Sequence, residues 1–248
     1  MPELSREGGI RIAYERRPGT PPTVVFLPGF RSDMEGTKAL FLDAHCERRG
    51  RAYLRFDYRG HGRSSGRFET FTIGGAKEDT LAVLDELVEG PAVLVGSSMG
   101  GWVALLTAIA RPERVRGLVL VAPAPDFTER LMWRAWDAGK RTRLEREGVV
   151  FEPSDYEEPV PITRALIEDG RRHLLLEAAT VPVRCPVHIL HGQRDEAVPW
   201  ELSLELAARL ETPHVTVELV KEGDHRMSEP AHLARLAHAL DRILEVAS

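Results

Sequence analysis

Short apolar runs recur along the chain, and the segments between most of them carry apolar residues at helical spacing. The runs predict strands near residues 24–28, 52–57, 92–96, 117–122, 186–191 and 215–220. The spacing predicts helices over residues 73–88, 99–110, 201–209 and 230–246. Alternating apolar strands and helices are typical of an α/β fold, in which helices cover both faces of a mostly parallel sheet. A hairpin-like stretch around residues 10–16 precedes this pattern.

One connection is too long for a simple crossover between parallel strands. About sixty residues separate Ala122 from Pro186, whereas a crossover with its helix needs about a dozen or more. We therefore expect a core of residues 1–125 and 183–248, with residues 126–182 inserted as a helical cap over the sheet edge. Trp133 and Trp136 lie in this insertion. These tryptophans either pack the cap onto the core or line an apolar pocket. We expect the second role, in which they bind substrate.

The pentapeptide Gly96-Ser97-Ser98-Met99-Gly100 lies between a predicted strand and a predicted helix. A G-x-S-x-G sequence in this context is typical of a nucleophile elbow, a strained turn that exposes the hydroxyl of its central serine. Glycines on both sides leave room for so tight a turn. The pattern predicts that Ser98, and not Ser97, is a nucleophile.

A serine hydroxyl needs a base to remove its proton, and the base needs a third group to orient it. Asp195 follows the predicted strand 186–191, and His225 follows the last predicted strand. In the catalytic sites built on such an elbow, the acid follows the serine along the chain and the histidine follows the acid. Asp126, after the strand 117–122, is a second candidate acid. Asp195 would otherwise cap a helix, and His225 would otherwise be an ordinary surface histidine.

Acyl transfer also needs donors for the oxyanion that forms when a serine attacks a carbonyl. One is expected from the backbone N–H of the residue after the nucleophile, which is Met99. The strand 24–28 ends in Pro28-Gly29-Phe30, and Gly29 allows a close backbone approach. We therefore expect Phe30 to supply the second donor. The alternative is a simple turn that ends the strand.

The loop that follows the strand 52–57 is rich in glycine and arginine. It lacks the G-x-x-x-x-G-K-S/T spacing of a phosphate loop. We expect Asp57, Arg59 and Arg63 to knit this loop together by charge-assisted hydrogen bonds. His61, in the same loop, is interpreted as a structural or pocket-lining residue, and His191 as a packed or hydrogen-bonded residue of its strand.

Several longer motifs resemble those of a known enzyme family. They are Leu27-Pro28-Gly29-Phe30, Gly36-Thr37-Lys38-Ala39-Leu40, Gly96-Ser97-Ser98-Met99-Gly100-Gly101-Trp102, Val198-Pro199-Trp200 and Asp224-His225-Arg226-Met227. The chain resembles the α/β-hydrolases, and more narrowly the mitochondrial palmitoyl-protein thioesterases, also described as mycophenolic acid acyl-glucuronide esterases. The resemblance implies hydrolysis of thioesters and activated oxygen esters, with Ser98, Asp195 and His225 as the catalytic triad.

Composition limits the partners and the cellular location that we expect for this protein. The chain has 248 residues and a net charge of −5 with acids and bases intermixed, so we expect no nucleic-acid partner. No apolar run approaches the ~20 residues of a membrane span, and we expect no stable membrane insertion. Two cysteines indicate a reducing compartment. With no leader before the first strand, we expect a cytoplasmic protein. We expect no cofactor and no metal, and the oligomeric state is not determined.

These features together predict a serine hydrolase that forms an acyl-enzyme at Ser98. Its substrate would be a small-molecule ester or an S-acylated protein. A carboxylesterase for small molecules remains an alternative, as does a ligand-binding protein that uses a hydrolase scaffold without catalysis, because a fold does not guarantee activity.

Overall fold

The computed structural model describes residues 2–153 and 159–247. Its strands are β1 (Glu3–Ser5), β2 (Arg11–Arg17), β3 (Thr20–Leu27), β4 (Arg51–Phe56), β5 (Ala92–Ser97), β6 (Val115–Val121), β7 (Val149–Glu152), β8 (Val160–Thr163), β9 (Val187–Gly192) and β10 (Val215–Val220). Its α-helices are α1 (Thr37–Arg48), α2 (Ile73–Leu87), α3 (Met99–Ala110), α4 (Ala138–Glu147), α5 (Arg164–Arg171), α6 (Glu201–Arg209) and α7 (Pro230–Ala247).

Eight strands form one sheet in the order β1-β2-β4-β3-β5-β6-β9-β10. The six strands from β4 to β10 in this order pair in parallel, and the N-terminal strands β1 and β2 join antiparallel at one edge. The predicted α/β class with a mostly parallel sheet is confirmed. Parallel pairing brings the carboxyl ends of β3, β5, β9 and β10 to one edge, where open α/β sheets bind their ligands.

Alternate residues of the central strands enter opposite halves of the core. In β5, Val93 and Val95 pack with α1 and α7, whereas Ala92 and Leu94 pack with α2 and α3. All six residues of β5 are buried, because helices cover both faces of the sheet. This explains why the central strands are continuous apolar runs without polar alternation.

The insertion between β6 and β9 is not purely helical. A π-helical turn (Thr128–Trp133), α4 and α5 accompany an antiparallel hairpin of β7 and β8. The hairpin strands are rich in valine and isoleucine, which favour extended backbone. Residues 154–158 of the predicted cap lie outside the described residues. Among the residues that the structure does describe, no helix is both long and apolar enough to cross a membrane.

Candidate active site

Ser98 occupies the junction at which β5 ends and α3 begins. Its backbone has φ 54° and ψ −118°, a strained conformation for a residue with a side chain. The Ser98 N–H donates to the Val121 carbonyl at 2.9 Å, and its carbonyl accepts from the N–H groups of Gly101 and Ala124 at 2.9 and 3.1 Å. Hydrogen bonds on both sides of the residue therefore hold the strained turn in place.

Two glycines make this turn sterically feasible. A Cβ atom at Gly96 would collide with the backbone of Gly100, and one at Gly100 would collide with the carbonyl of Leu27 at the end of β3. Both obstacles are backbone atoms, which cannot rotate away as a side chain can. The turn can therefore pack against the neighbouring strand only with glycine at both positions.

His225 lies within hydrogen-bond distance of both Ser98 and Asp195. Its Nε2 is 3.1 Å from Ser98 Oγ, and its Nδ1 is 2.7 Å from Asp195 Oδ2. A carboxylate can only accept, so Nδ1 carries the proton and Nε2 is left to accept the hydrogen of the Ser98 hydroxyl. The structure thus brings the predicted nucleophile, base and acid together from the ends of three strands.

The Asp195 carboxylate is fully buried and fully hydrogen-bonded. Oδ1 accepts from the N–H groups of Ala197 and Val198 at 2.9 and 2.8 Å. Burial alone would raise the pKa of Asp195, but hydrogen bonds from His191 and His225 outweigh burial and hold that pKa well below its usual range. The carboxylate is therefore charged whenever His225 is available as a base.

His191 was expected only to be packed or hydrogen-bonded, and it contacts the candidate acid directly. Its ring is completely buried, and Nε2 lies 3.0 Å from Asp195 Oδ2 and 3.2 Å from the Val198 carbonyl. Both partners are acceptors, so Nε2 carries a proton, and Nδ1 lies within hydrogen-bond distance of the Ser203 hydroxyl, at 2.7 Å. Asp195 is thus fixed by two histidines. The signal in the sequence is the i, i+4 spacing of His191 and Asp195 across the end of the strand.

Asp126, the second candidate acid, is used elsewhere. Its two carboxylate oxygens accept from the backbone N–H groups of Leu175 and Leu176, each at 2.8 Å. It is completely buried and has φ 58°, so the chain turns sharply where the insertion starts. Asp126 therefore fastens the start of the insertion to the segment by which it returns.

The residues expected to supply oxyanion donors also lie at Ser98. Phe30 and Met99 line the same cavity as Ser98 and His225. A Cβ atom on Gly29 would lie only 3.4 Å from Ser98 Cβ, which shows how closely the loop after β3 approaches. Met99 is the first residue of α3, and the N–H groups of a first helical turn have no partner within their own helix.

His61 braces the loop that contains Phe30. The Arg31 N–H donates to His61 Nε2 at 3.2 Å, and His61 Nδ1 lies 3.3 Å from the Arg59 carbonyl. Four aromatic rings surround the imidazole, with centroids 4.6–6.4 Å away: Phe30, Tyr58, Phe68 and Phe71. Burial lowers the pKa of His61 to about 4, so its imidazole is neutral at pH 7 and Nε2 can accept.

The arginine-rich loop is stabilised differently from our expectation. Arg59 pairs with Asp79 of α2 at 2.7 Å instead of bonding within the loop. Asp57 accepts from the N–H groups of Met34 and Arg63 at 2.7 and 2.8 Å. The loop is therefore tied to α2 through Arg59 and to the segment before α1 through Asp57, whose bond from Arg63 also closes the loop itself.

A cavity of about 720 Å³, here called the main cavity, opens from Ser98. Its apolar wall comes mostly from the insertion, through Phe127, Leu131, Met132 and Trp136. Trp133 is not among the residues that line it. Its ring packs 4.4 Å from the Arg171 guanidinium, on which the cationic group can stack. Within the described part of the chain, no group of three or more His, Cys, Asp or Glu could hold a metal ion.

Comparison with known proteins identifies the family. The model of the alpha/beta hydrolase family matches residues 24–239. The chain belongs to this family. This α/β-hydrolase is 41% identical over 244 residues to the bovine mitochondrial palmitoyl-protein thioesterase ABHD10, and 39% identical to the human protein, covering 98% of its own length and 79% of each relative.

Solved structures agree with the sequence relationship. Mouse alpha/beta hydrolase domain-containing protein 10 superimposes with a TM-score of 0.92 at 40% identity, covering 100% of this α/β-hydrolase and 99% of the mouse chain. A putative hydrolase from Agrobacterium vitis S4 superimposes with a TM-score of 0.91 at 39% identity, covering 98% and 99% of the two chains.

The expected cytoplasmic location is wrong by this comparison, because the matching thioesterases are named as mitochondrial proteins. The expectation rested on the N-terminal sequence and on two cysteines, which are both free in the structure. Few cysteines without disulfides indicate a reducing environment. That property does not distinguish one reducing compartment of a cell from another.

The buried, neutral state of His61 predicts a pH-dependent contribution to stability. Between pH 6.5 and about 4 the unfolded chain binds a proton at this histidine and the folded chain does not, so stability should fall as the pH falls. In His61→Gln the amide oxygen can still accept and does not titrate. The free energy of unfolding of wild type, relative to this variant, should decrease by up to about 2–3 kcal/mol from pH 7 to pH 4.5.

Urea unfolding of both proteins at the two pH values measures this difference. His61→Leu serves as the control without an acceptor. It should lose about 1–3 kcal/mol at pH 7, because the Arg31 N–H is left without its partner. A wild type and a glutamine variant that lose stability in parallel would show that His61 takes up its proton normally in the folded protein.

Proposed function

We propose that this protein is a serine hydrolase that cleaves thioesters or activated oxygen esters through an acyl-enzyme at Ser98. The observation that carries the proposal is the continuous chain of hydrogen bonds from Ser98 through His225 to a buried, charged Asp195. The similarity to proteins named palmitoyl-protein thioesterases supports a thioester of a fatty acid, including an S-acylated protein, as the substrate.

In the first half of the reaction, His225 Nε2 removes the hydroxyl proton as Ser98 Oγ attacks the carbonyl carbon. Asp195 holds the ring in the reactive tautomer and stabilises the imidazolium that forms. The N–H groups of Phe30 and Met99 donate to the oxyanion. Preorganised donors of this kind contribute about 2.7–4 kcal/mol each to transition-state stabilisation.

In the second half, the bond from the carbonyl carbon to the leaving sulfur or oxygen breaks. His225 gives its proton to the leaving group, which departs as a thiol or an alcohol, and His225 returns to its neutral form. Water then enters, His225 removes a proton from it, and the hydroxide attacks the acyl-enzyme. The carboxylic acid leaves, and Ser98 regains its proton from His225.

Residues 126–182 act in this proposal as the cap, which sets acyl-chain preference and supplies no catalytic group. The main cavity supports this role, because its apolar side chains come mostly from this segment and Trp136 lies among them. Trp136 Nε1 donates to Glu152 at 2.6 Å, and the same carboxylate pairs with Lys140. These polar contacts fix the indole so that its ring can face an acyl chain.

Ser98 is expected to be the sole covalent nucleophile. A fluorophosphonate probe should label the wild-type protein and not Ser98→Ala, because the probe needs an activated hydroxyl. Ser97→Ala is the matched control. Ser97 lies at the buried end of β5, and this variant should still be labelled. Labelling of Ser98→Ala, located by mass spectrometry of the modified peptide, would assign the nucleophile to another residue.

Asp195 and Asp126 are expected to differ sharply when each is changed to asparagine. Asp195→Asn should lower kcat by about 10⁴ with the fold intact, as a wrong histidine tautomer does in serine proteases. Asp126→Asn should lower stability more than kcat, because its carboxylate serves Leu175 and Leu176. Ester hydrolysis and thermal unfolding of both variants test this, and the reverse ranking of kcat would transfer the role of the acid to Asp126.

Trp136→Ala is expected to change the ratio of kcat/KM for long-chain and short-chain p-nitrophenyl esters. One methylene of pocket contact is worth about 1–3 kcal/mol of discrimination, so the change should be visible across a series of chain lengths. The rate on the acetyl ester should stay within about tenfold, because the catalytic groups lie outside the insertion. Trp133→Ala is the matched control, since its ring packs on Arg171 outside the main cavity. Equal chain-length profiles for the wild type and a folded Trp136→Ala protein would argue against a role in the pocket.

A further inference from the structure

One oxygen of the Asp195 carboxylate is shared by two histidines. Oδ1 accepts from two backbone N–H groups of its own loop, and Oδ2 accepts from His225 Nδ1 at 2.7 Å. A further N–H reaches Oδ2 from the interior of the protein, where His191 Nε2 lies 3.0 Å away. His225 also contacts Ser98, whereas the His191 side chain is completely buried. The reaction described above uses His225 and gives no role to His191.

His191 is held by contacts at both nitrogens of its ring. It lies in β9, the strand that leads into the loop of Asp195. Nδ1 is 2.7 Å from the hydroxyl of Ser203, a completely buried residue of α6. Nε2 is also 3.2 Å from the Val198 carbonyl. The strand, the helix and the loop between them therefore meet at this imidazole, which leaves its ring little freedom to turn away from Asp195.

The hydrogen bond from His191 to Asp195 does not depend on the charge of the His191 ring. Nε2 faces the Asp195 carboxylate and the Val198 carbonyl, and both of these groups can only accept. A serine hydroxyl can donate or accept, so Ser203 can serve as the partner of Nδ1 in a neutral ring or in an imidazolium. His191 therefore presents an N–H to Asp195 in either protonation state.

This hydrogen bond has two consequences for the carboxylate. Together with the N–H groups of Ala197 and Val198, His191 holds both oxygens of Asp195 without help from His225. Burial raises the pKa of Asp195, and the hydrogen bonds from His191 and His225 more than reverse this effect. A carboxylate that stays charged can stabilise an imidazolium without taking its proton, which is the task of the acid in a catalytic triad.

We propose that His191 is a positioning residue for the reaction at Ser98, and that it acts through Asp195 by keeping the carboxylate charged and aligned on His225 Nδ1. Ser203 in turn fixes the His191 ring. This inference rests on the proposed function and leaves its bond-making and bond-breaking steps unchanged. His191 is not among the residues that line the main cavity, so its effect on the rate is transmitted by the carboxylate and not by contact with substrate.

Two amides at position 191 separate the contact with Asp195 from the contact with Ser203. Asparagine reaches only to the place of Nδ1 and keeps the contact with Ser203, whereas glutamine reaches to the place of Nε2 and can donate to Asp195. His191→Asn should lower kcat for p-nitrophenyl acetate by about 10- to 100-fold and change KM by less than about threefold, as expected for a lost hydrogen bond to a charged group that does not touch substrate. His191→Gln should keep kcat within about threefold of wild type, because its amide N–H replaces that of the imidazole.

His188→Asn is the matched control, because His188 is also a buried histidine of β9. Its Nε2 lies 3.4 Å from Glu218 of β10, so the same substitution there should leave kcat within about twofold of wild type. A double variant tests the route of the effect. Added to Asp195→Asn, His191→Asn should lower kcat by less than about twofold further, because a residue that acts through the carboxylate loses its effect when the carboxylate is gone.

Ser203→Ala is the milder variant and decides alone if thermal unfolding shows that His191→Asn does not fold. It removes one oxygen atom and should lower kcat by about three- to tenfold, because the His191 ring is then fixed at one nitrogen instead of two. An unchanged kcat in this variant would overturn the inference.

The other failures can be told apart. A wild-type kcat in a folded His191→Asn protein overturns the inference, and so does an equal loss in His191→Gln, since His191 then serves only to pack β9. A full further loss in the Asp195→Asn background also overturns it, because His191 then acts by another route. In each of these cases the proposed function stands. If wild type neither hydrolyses the ester nor is labelled by the fluorophosphonate, the proposed function fails and the inference fails with it.

Discussion

The close contact between the β5–α3 turn and β3 is the constraint on which the rest of the site depends. Gly100 lies against the Leu27 carbonyl, and Gly29 lies against Ser98. This contact brings the loop after β3 and the strained serine into one small space. The same loop lines the cavity at Ser98, so one backbone approach sets the position of the predicted nucleophile and of the expected oxyanion donors.

Two buried histidines support this arrangement. His191 holds the carboxylate that His225 contacts, and His61 accepts a hydrogen bond from the loop that contains Phe30. His61 uses Nε2 as an acceptor, which a protonated imidazole cannot do. The histidines thus lie in two kinds of environment: the predicted base His225 is partly exposed beside Ser98, whereas His61 and His191 are buried parts of the scaffold.

The sequence predicted the features that depend on short stretches of neighbouring residues. Apolar runs placed the six parallel strands to within a few residues, and a glycine-flanked serine between a strand and a helix placed the elbow. What it could not supply were contacts between residues distant in the chain. Arg59 was assigned to its own loop and instead pairs with Asp79 of α2, and Trp133 stacks on Arg171 from another helix. The β7–β8 hairpin was missed because its strands have only four residues each, too few for a clear alternation.

Asp126 has a consequence for how such a protein can diversify. Because its carboxylate accepts from the N–H groups of Leu175 and Leu176, the start of the insertion and its returning segment are held together at a buried point. The segment between Asp126 and Leu175 is therefore a loop whose two ends are fixed to each other. The entropy cost of closing a loop grows only with the logarithm of its length, by about 0.6 kcal/mol for each doubling. Segments of quite different size and shape could therefore be exchanged between these anchors by insertion, deletion or grafting, while the strands that carry the reacting groups stay as they are.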